Sequence, residues 1–464
     1  MNELRTAVRF DADLIRKYDV AGPRYTSYPP APHFRADFGD ADTRGLLRAS
    51  RETGRPLSLY VHVPFCAKRC FFCGCNVLIS RDRTWGKRYL PWIEREAAMA
   101  AELLGGGEGG RSTTQVHWGG GTPTFLPPED LRELMAILRR HFAFTPDCEI
   151  GVEVDPRACS PEQLDVLAEA GVNRLSLGVQ DCDPTVQKAV NRVQPEEVTR
   201  AVLDGARQRG MSSLNIDLIY GLPYQTPEGF ARTVEEVVGL GPDRLAVFNF
   251  AYLPNSFKHQ TVIDEAALPS PEAKLRMLGE TMAALDRAGY VFIGMDHFAR
   301  PDDPLSIALA EGTLTRNFQG YSTHADAELL ALGVSSISAI GGGYAQNHRE
   351  LRDYSAAIEA GRFPTCRGLV MTEDDHLRRQ AILDLMCHFR LAKREIEERF
   401  GIDFDSYFAD ALVALEPLAA DGLVRLGRDS IEVTALGRML VRNIAMPFDA
   451  YLHAAPQVRY SRTV

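Results

Sequence analysis

Short apolar runs and longer amphipathic runs alternate along the middle of the chain. The apolar runs have the length of buried strands, and the runs between them carry apolar residues at helical spacing. The predicted strands are residues 57–63, 115–118, 149–154, 174–177, 214–219 and 244–250. The predicted helices include residues 129–142, 161–170, 195–209 and 227–240. This alternation predicts a parallel α/β sheet, so we expect an incomplete (β/α)6 barrel over residues 57–368.

A helix at 271–288 and a strand at 290–295 follow the sixth predicted unit and extend or cap the barrel. Residues 1–56 precede the barrel, and we expect them to form an irregular segment that covers the substrate.

The pattern of apolar and polar residues changes at residue 369, and residues 369–464 are predicted to form a separate, mainly helical domain. Helices are expected from Thr372, Lys393 and Phe404, followed by a hairpin of residues 422–426 and 430–433. A last helix is expected from Thr434 to about residue 442. This order resembles a winged-helix module. The charges of residues 393–399 are mixed, which favours a packing or lid role over DNA binding.

The composition of the chain excludes several classes of function. The chain has 464 residues and a formal net charge of −10, which argues against a general nucleic-acid coat. It has no long uninterrupted apolar run, and residues 1–19 do not read as a secretory signal. We therefore expect a cytoplasmic protein that partners neither nucleic acid nor membrane. Thiols stay reduced there, so the nine cysteines suggest metal binding or catalysis.

Four cysteines lie within ten residues, directly after the first predicted strand: Cys66, Cys70, Cys73 and Cys75. A structural zinc site is the main competing interpretation, but such a site would require a second pair of ligands elsewhere in the sequence. The other five cysteines form no such pair. The C-x3-C-x2-C spacing instead suits a [4Fe–4S] cluster with three protein ligands and one open iron.

This spacing resembles that of the radical S-adenosylmethionine (SAM) enzymes. Longer motifs along nearly the whole chain resemble the oxygen-independent coproporphyrinogen III oxidase family within that superfamily. The motifs include Tyr60-Val-His-Val-Pro-Phe-Cys66, Cys73-Gly-Cys75-Asn76, His117-Trp-Gly-Gly-Gly-Thr-Pro-Thr124, Glu153-Val-Asp-Pro156, Gly178-Val-Gln-Asp181 and Gly294-Met-Asp-His-Phe-Ala-Arg300.

The resemblance implies that Cys66, Cys70 and Cys73 hold the cluster and that SAM occupies its open iron. Cys75 would be needed for catalysis without being a ligand, and Tyr60 is also expected at the catalytic centre. Glu153 would bind the SAM ribose, and two SAM molecules are expected. The residues implied in SAM binding are Tyr60, Phe72, Gly120, Gly121, Thr122, Glu153, Gln180, Arg192, Asp217, Ala251 and Ile337.

The family reaction converts two propionates of coproporphyrinogen III to vinyl groups and gives protoporphyrinogen IX. By resemblance, a radical from SAM takes a hydrogen atom from the propionate, and CO2 and one electron leave. A cytosolic one-electron donor to the cluster and an unidentified electron acceptor are implied, and we expect a monomer. Arginine suits carboxylates, so Arg24, Arg300 and Arg316 are candidate substrate ligands.

Two other functions remain open from the sequence. A heme-binding chaperone of the same superfamily typically has an aromatic residue two places after the third cysteine, where this chain has Cys75. That branch also tends to lack the segment that this chain retains at residues 22–29. A DNA-binding regulator would use the C-terminal module, but it leaves the cysteine loop unexplained.

Overall fold

The central feature of the fold is a run of six neighbouring parallel strands. The computed structural model describes residues 8–105, 110–452, 460 and 462. Within these residues the strands belong to a twelve-stranded sheet. The six parallel strands, in chain order and in sheet order, are Leu57–Val63, Ser112–Gly120, Ala143–Val154, Arg174–Gln180, Ser213–Tyr220 and Arg244–Asn249. The predicted α/β barrel core is confirmed.

Helices connect these strands and cover the outer face of the sheet. In the fourth strand, Leu175, Leu177 and Val179 are buried, while Ser176 between them and Gln180 after them are half-buried and belong to the opposite face. This period-two alternation leaves the barrel interior to polar side chains. The connecting helices are Trp85–Leu104, Pro128–His141, Pro161–Glu169, Pro184–Ala189, Glu196–Gln208, Pro227–Leu240 and Pro271–Arg287.

The sheet continues beyond the six predicted units at both edges, which the sequence interpretation foresaw only in part. Glu328–Leu332 pairs in parallel with the first strand and begins an antiparallel extension. The extension continues with Ile337–Ile340, Gly343–Asn347 and Thr365–Val370. At the other edge, the strand His297–Ala299 pairs antiparallel with the sixth strand. The strand predicted at 290–295 is observed as Val291–Gly294 and pairs antiparallel with His297–Ala299.

The N-terminal segment contains helices, so the prediction of a wholly irregular segment is wrong. Ala12–Tyr18 is capped by Asp11, whose carboxylate accepts from the N–H groups of Asp13 and Leu14. Asp40–Thr53 buries one face that includes Leu46 and Leu47. The first helix buries a single residue, Ile15, and therefore shows little hydrophobic pattern.

The C-terminal domain begins after the last sheet strand, which ends at Val370. The helix capped by Thr372 is confirmed, as is a hairpin at the predicted place. Arg390–Ala392 adds a third strand to that hairpin. The helices are Glu373–His388, Lys393–Phe400, Phe404–Tyr407, Ala409–Ala420 and Val441–Ala445, and the hairpin strands are Val424–Leu426 and Ser430–Val433.

The final predicted helix does not begin at Thr434. A turn follows Thr434, whose hydroxyl accepts from the N–H of Gly437, and a 3₁₀ turn then precedes Val441–Ala445. A side chain at Gly437 would meet the carbonyl oxygen of Leu423 at 2.0 Å, so this close approach holds the turn against the hairpin.

The remaining elements are short. None of the helices in the described residues is long and apolar enough to cross a membrane. Two further helices are Pro304–Glu311 and Leu351–Glu359, and two small ladders pair Phe65–Cys66 with Leu78–Ile79 and Thr315–Asn317 with Gly320–Ser322.

Candidate active site

A cavity of about 160 Å³ lies at the carboxyl ends of the parallel strands. Sites of (β/α) barrels form at this end because the loops after successive strands converge there. Strand register aligns the polar residues: Glu153 pairs with Ser176, and Gly178 pairs with Asp217. Twelve of the predicted site residues line this cavity: Cys66, Cys70, Phe72, Cys73, Cys75, Gly120, Gly121, Thr122, Glu153, Gln180, Arg192 and Asp217.

The cysteine loop follows the first strand directly. Cys66 Sγ lies 3.3 Å from the hydroxyl oxygen of Thr122, and the N–H of Cys75 donates to Cys73 Sγ at 3.4 Å. Hydrogen bonding from Cys75 lowers the pKa of the Cys73 thiol to about 6, whereas burial raises the pKa of Cys66 to about 11. The loop therefore presents its sulfur atoms to the cavity from one short stretch of chain.

Two guanidinium groups approach Cys70, an arrangement that the sequence interpretation missed. Arg157 Nη2 and Arg192 Nη1 each lie 3.5 Å from Cys70 Sγ. Both arginines also pair with Asp155, at 2.7 Å and 3.3 Å respectively. Asp155 could have been singled out, because it belongs to the Glu153-Val-Asp-Pro156 motif. The contact of Arg157 with Cys70 could not, because the two residues are 87 positions apart and no local sequence pattern links them.

Glycines after the second strand leave room beside the cysteine loop. Gly120 has a φ of +115°, and a Cβ there would meet the ring of His62 at 2.7 Å. A Cβ at Gly121 would lie 2.8 Å from the backbone of Pro64. Residues with side chains would therefore displace the loop, while glycine lets a ligand approach the backbone closely.

Glu153 ends the third strand and points into the cavity with 44% of its side-chain surface exposed. Its carboxylate accepts from the N–H of Gly120 at 3.1 Å and lies 3.3 Å from His117 Nε2. Burial acts to raise its pKa, but these two contacts outweigh burial and hold the pKa below its usual range. Glu153 is thus an ionised acceptor with free surface, which suits two adjacent hydroxyl groups.

Gln180 and Asp217 form the opposite wall. Gln180 has a φ of +73°, an uncommon conformation for a residue with a side chain, and such strain concentrates at functional sites. Asp217 accepts from Asn215 Nδ2 at 2.7 Å, and burial raises its pKa to about 6.

A second loop supports the cysteine loop from outside, and the sequence interpretation did not identify it. His259 Nε2 donates to the carbonyl of Cys73 at 2.7 Å. Gln260 Nε2 lies 3.3 Å from the carbonyl oxygen of Phe72 and 3.2 Å from that of Ala251. The contacts with Cys73 and Phe72 each span more than 180 residues of sequence, so no spacing pattern could have indicated them.

The donor set fits an iron–sulfur cluster with SAM. Cys66, Cys70 and Cys73 place three thiols along one cavity, and two arginines beside Cys70 would offset the negative charge of a bound cluster. Gly120 and Gly121 line the same cavity with backbone alone, at positions where a Cβ would collide with His62 and Pro64. Within the described ranges, no three His, Cys, Asp or Glu side chains converge closely enough to hold a single metal ion.

Comparison with known proteins covers nearly the whole chain. A model of the Radical SAM superfamily matches residues 60–237, and one of the HemN C-terminal domain matches residues 371–440. Oxygen-independent coproporphyrinogen III oxidase from Pseudomonas aeruginosa is 51% identical over 98% of this chain and 99% of that relative. The chain belongs to the oxygen-independent coproporphyrinogen III oxidase family.

A family member of the same name from Escherichia coli is 50% identical over 98% of this chain and 99% of that relative. The solved structure of coproporphyrinogen III oxidase from Escherichia coli, described there as a radical SAM enzyme, superposes with a TM-score of 0.91. That match has 50% identity and covers 96% of this chain and all of the other. The oxidase-family fold assignment is therefore confirmed over both domains.

Tyr60 lies beside the cavity that the cysteine loop lines, but it is not one of the lining residues. Its ring stacks on His117 with centroids 6.0 Å apart, and its hydroxyl lies 3.1 Å from His62 Nδ1. Burial, followed by the charges of Glu153 and Cys75, raises its pKa well above the usual value. Tyr60 therefore remains in its neutral form at the edge of the site.

Two predicted cofactor residues lie outside the cysteine cavity. Ala251 lines a second and larger cavity, and is connected to the cysteine loop through Gln260. Ile337 begins a strand of the sheet extension and packs near Phe34, Tyr344 and Leu369.

The three candidate substrate arginines lie in three different places. Arg24 lines the larger cavity and pairs with Asp296. Arg316 is buried, and its guanidinium lies 4.7 Å from the ring centroid of Tyr321. Arg300 donates to the carbonyl of Pro242, ahead of the sixth strand, and therefore lies at the end of the barrel opposite the cysteine loop. The structure does not bring Arg300 to either cavity.

Proposed function

We propose that this protein is a radical SAM oxidase that converts coproporphyrinogen III to protoporphyrinogen IX without oxygen, in heme biosynthesis. The observation that carries this proposal is one cavity that gathers the three-cysteine loop, the glycine run and the ionised Glu153 at the barrel mouth. Family membership over nearly the full length supports the same reaction.

Cys66, Cys70 and Cys73 would hold the [4Fe–4S] cluster. When bound, the cluster and SAM supply a carbon radical that removes a hydrogen atom from a substrate propionate. Gly120 would lie against the methionine part of SAM, and the carboxylate of Glu153 would accept hydrogen bonds from the ribose hydroxyls. Gly121 and Thr122 would lie beside the second SAM.

The neighbouring residues orient the ligands and stabilise charge. Arg157 and Arg192 place positive charge beside Cys70, and Asp155 holds both guanidinium groups in position. The half-buried ring of Phe72 offers a surface for the adenine. Cys75 lines the cavity and Tyr60 lies beside it, and we assign both to the catalytic centre.

A second SAM molecule would lie against Gln180, Arg192, Asp217 and Ala251. The left-handed backbone of Gln180 supports this proposal, as does the position of Asp217 three residues before Tyr220, which lines the larger cavity. Ile337 would border the first SAM. Equilibrium dialysis of the reconstituted protein tests the count, with two molecules bound per chain expected.

The proposed reaction requires two redox partners. A cytosolic one-electron donor must reduce the cluster, and a separate acceptor must take the electron left on the substrate. We propose that the enzyme acts as a cytoplasmic monomer, and that residues 1–56 cover the substrate with Arg24 and Arg316 near its carboxylates. Sedimentation under turnover conditions tests the oligomeric state.

The decisive experiment is anaerobic incubation of the reconstituted protein with SAM, reductant and coproporphyrinogen III. Protoporphyrinogen IX and 5′-deoxyadenosine should form together. The purified protein should hold about one cluster per chain, and Cys66→Ala, Cys70→Ala or Cys73→Ala should lose it. Stoichiometric zinc with full activity and no iron would refute the cluster assignment. Heme binding without product formation would favour the chaperone instead.

A further inference from the structure

A second cavity, larger than the one that the cysteine loop lines, lies beside it and has a volume of about 630 Å³. Its floor contains Tyr220 and Asn249, at the carboxyl ends of the fifth and sixth strands. The N-terminal helix Ala12–Tyr18 and the C-terminal domain, through Val441, form its cover. A volume between about 300 and 1,000 Å³ is typical of sites for small organic ligands.

The walls are mainly apolar, and their charge is predominantly positive. Apolar contacts come from residues such as Phe250, Leu278 and Met439. The acidic side chains along this wall, Asp19 and Asp296, already pair with Arg462 and Arg24. The basic residues among the described lining are Arg16, Arg24, Lys274, Arg442 and Arg462. The cavity therefore presents more positive than negative charge to a ligand.

Lys274 differs from the other basic residues of the cavity. It lies in the first turn of the helix Pro271–Arg287 and is half-buried. In the described part of the chain it makes no ion pair or side-chain hydrogen bond, and burial lowers its pKa. A partly desolvated ammonium without a carboxylate partner is unfavourable unless a ligand supplies the missing negative charge.

Two neighbours fix the position of this ammonium. A Cβ at Gly221, whose φ is +90°, would lie 2.8 Å from Lys274 Cε and 3.2 Å from its Nζ. The same point is 3.4 Å from Asn249 Oδ1, a buried oxygen without a hydrogen-bond partner among the described residues. A cation and an unused acceptor thus both lie within 3.4 Å of one point beside Gly221 at the floor of the cavity.

Arg442 strengthens the positive field. It donates to the carbonyl oxygens of Gly22, Pro23 and Arg462. Burial, followed by the nearby charge of Arg24, lowers its pKa to about 10.

We propose that this larger cavity binds the tetrapyrrole substrate and that Lys274 binds one of its propionate carboxylates. Asn249 Oδ1 accepts from a pyrrole N–H of the same ligand. This inference rests on the proposed function, since it assigns the substrate of that reaction to a place. The apolar walls suit the methylated pyrroles, and the cavities lie side by side, with Asp217 and Tyr220 on one strand.

The test compares Lys274→Met, Lys274→Arg and Arg276→Gln in the reconstituted enzyme. Arg276 is the matched control because it lies two residues along the same helix and pairs at the surface with Glu228 and Glu280. Lys274→Met should raise KM for coproporphyrinogen III about ten- to a hundredfold, as expected for loss of a charged hydrogen bond. Lys274→Arg should restore most of the affinity, and Arg276→Gln should match the wild type.

Fluorescence quenching with coproporphyrin III, a planar four-carboxylate probe, should show the same order of affinities without turnover. Iron content, SAM stoichiometry and melting temperature should not change in Lys274→Met. An unchanged KM in Lys274→Met, or loss of a bound SAM in place of tetrapyrrole, would overturn the inference. A wild-type protein that forms no protoporphyrinogen would instead refute the proposed function, so the two failures are distinguishable.

Discussion

Arg157 Nη2 lies 3.5 Å from Cys70 Sγ, although the residues are 87 positions apart in the chain. Asp155 holds this guanidinium at 2.7 Å and also pairs with Arg192, whose Nη1 approaches the same sulfur atom. A proposed cluster ligand thus receives two charged donors organised by one carboxylate. Hydrogen bonds and positive charge at a cluster sulfur stabilise the reduced, more negative state, and so raise the reduction potential.

Arg157→Gln should therefore make the cluster harder to reduce. Because one donor and one positive charge are removed while Arg192 remains, we expect the potential to fall by about 60 mV, a tenfold change in a one-electron equilibrium. An anaerobic redox titration followed by electron paramagnetic resonance measures this shift. Arg352→Gln, at an arginine with 88% side-chain exposure, is the control. An unchanged potential at full iron content would refute this role.

Glu153→Ala should weaken SAM binding and leave the cluster in place. The carboxylate contacts the proposed ribose position and the N–H of Gly120, but none of its hydrogen bonds goes to a cysteine. Loss of a charged hydrogen bond costs about 1.5–3 kcal/mol, equal to about a ten- to more than a hundredfold loss of affinity. Equilibrium binding of SAM measures the effect, with iron content determined in parallel.

The exposed Glu162 provides the control for that experiment, because it lies in the first turn of the helix Pro161–Glu169, away from the cavity lining. Glu162→Ala should bind SAM as the wild type does. A folded Glu153→Ala protein with wild-type SAM affinity would contradict the ribose assignment.

Asp217 should give SAM binding a pH dependence near neutrality. Its pKa is raised to about 6, mainly by burial and also by the charge of Glu153, against the opposing effect of hydrogen bonds from Asn215 and Ser176 and the charge of Arg174. The carboxyl is neutral below that pH and negative above it. A positively charged sulfonium should therefore bind more tightly as pH rises through 6, by about tenfold.

Affinity measured between pH 5.5 and 7.5 tests this dependence, with Asp217→Asn as the comparison. The variant lacks the titrating group, so its affinity should stay low and vary less with pH. An equal slope in both proteins would assign the dependence to another group.

The sequence predicted the barrel rim well because parallel strands bring their carboxyl ends to one edge. Glu153, Gln180 and Asp217 lie in the carboxyl-terminal halves of three successive strands, and the strand register places them around one cavity. The pattern of apolar runs and one cysteine spacing were sufficient for this part.

The support of the cysteine loop could not be predicted in the same way. Arg157 and His259 act through tertiary contacts that no periodicity encodes. Apart from Val291–Gly294, the short antiparallel strands of the twelve-stranded sheet were missed because runs of three to six residues are too short to show a clear alternation. Arg300 follows a strand in a family-like motif, yet that strand runs antiparallel and carries it to the far end of the barrel.

Cys75→Ser should retain the cluster but fail to form protoporphyrinogen IX. Cys75 contacts Cys73 through both its backbone N–H and its thiol. Serine keeps the N–H and offers a hydroxyl donor in place of the thiol, so the loop geometry should survive. The thiol itself lines the cavity and is exposed. We therefore expect nearly unchanged iron content and SAM binding, and activity reduced by at least about a hundredfold, within the range for loss of one positioned acid or base.

Cys366→Ser, at a half-buried cysteine in the last sheet strand, is the control and should remain active. Iron analysis, SAM binding and product formation are measured on the same samples. Complete loss of iron in Cys75→Ser would make Cys75 a ligand or an essential support of the cluster. Full turnover would remove Cys75 from the catalytic centre and reopen the chaperone interpretation, because the residue two places after Cys73 is one feature that separates the two functions.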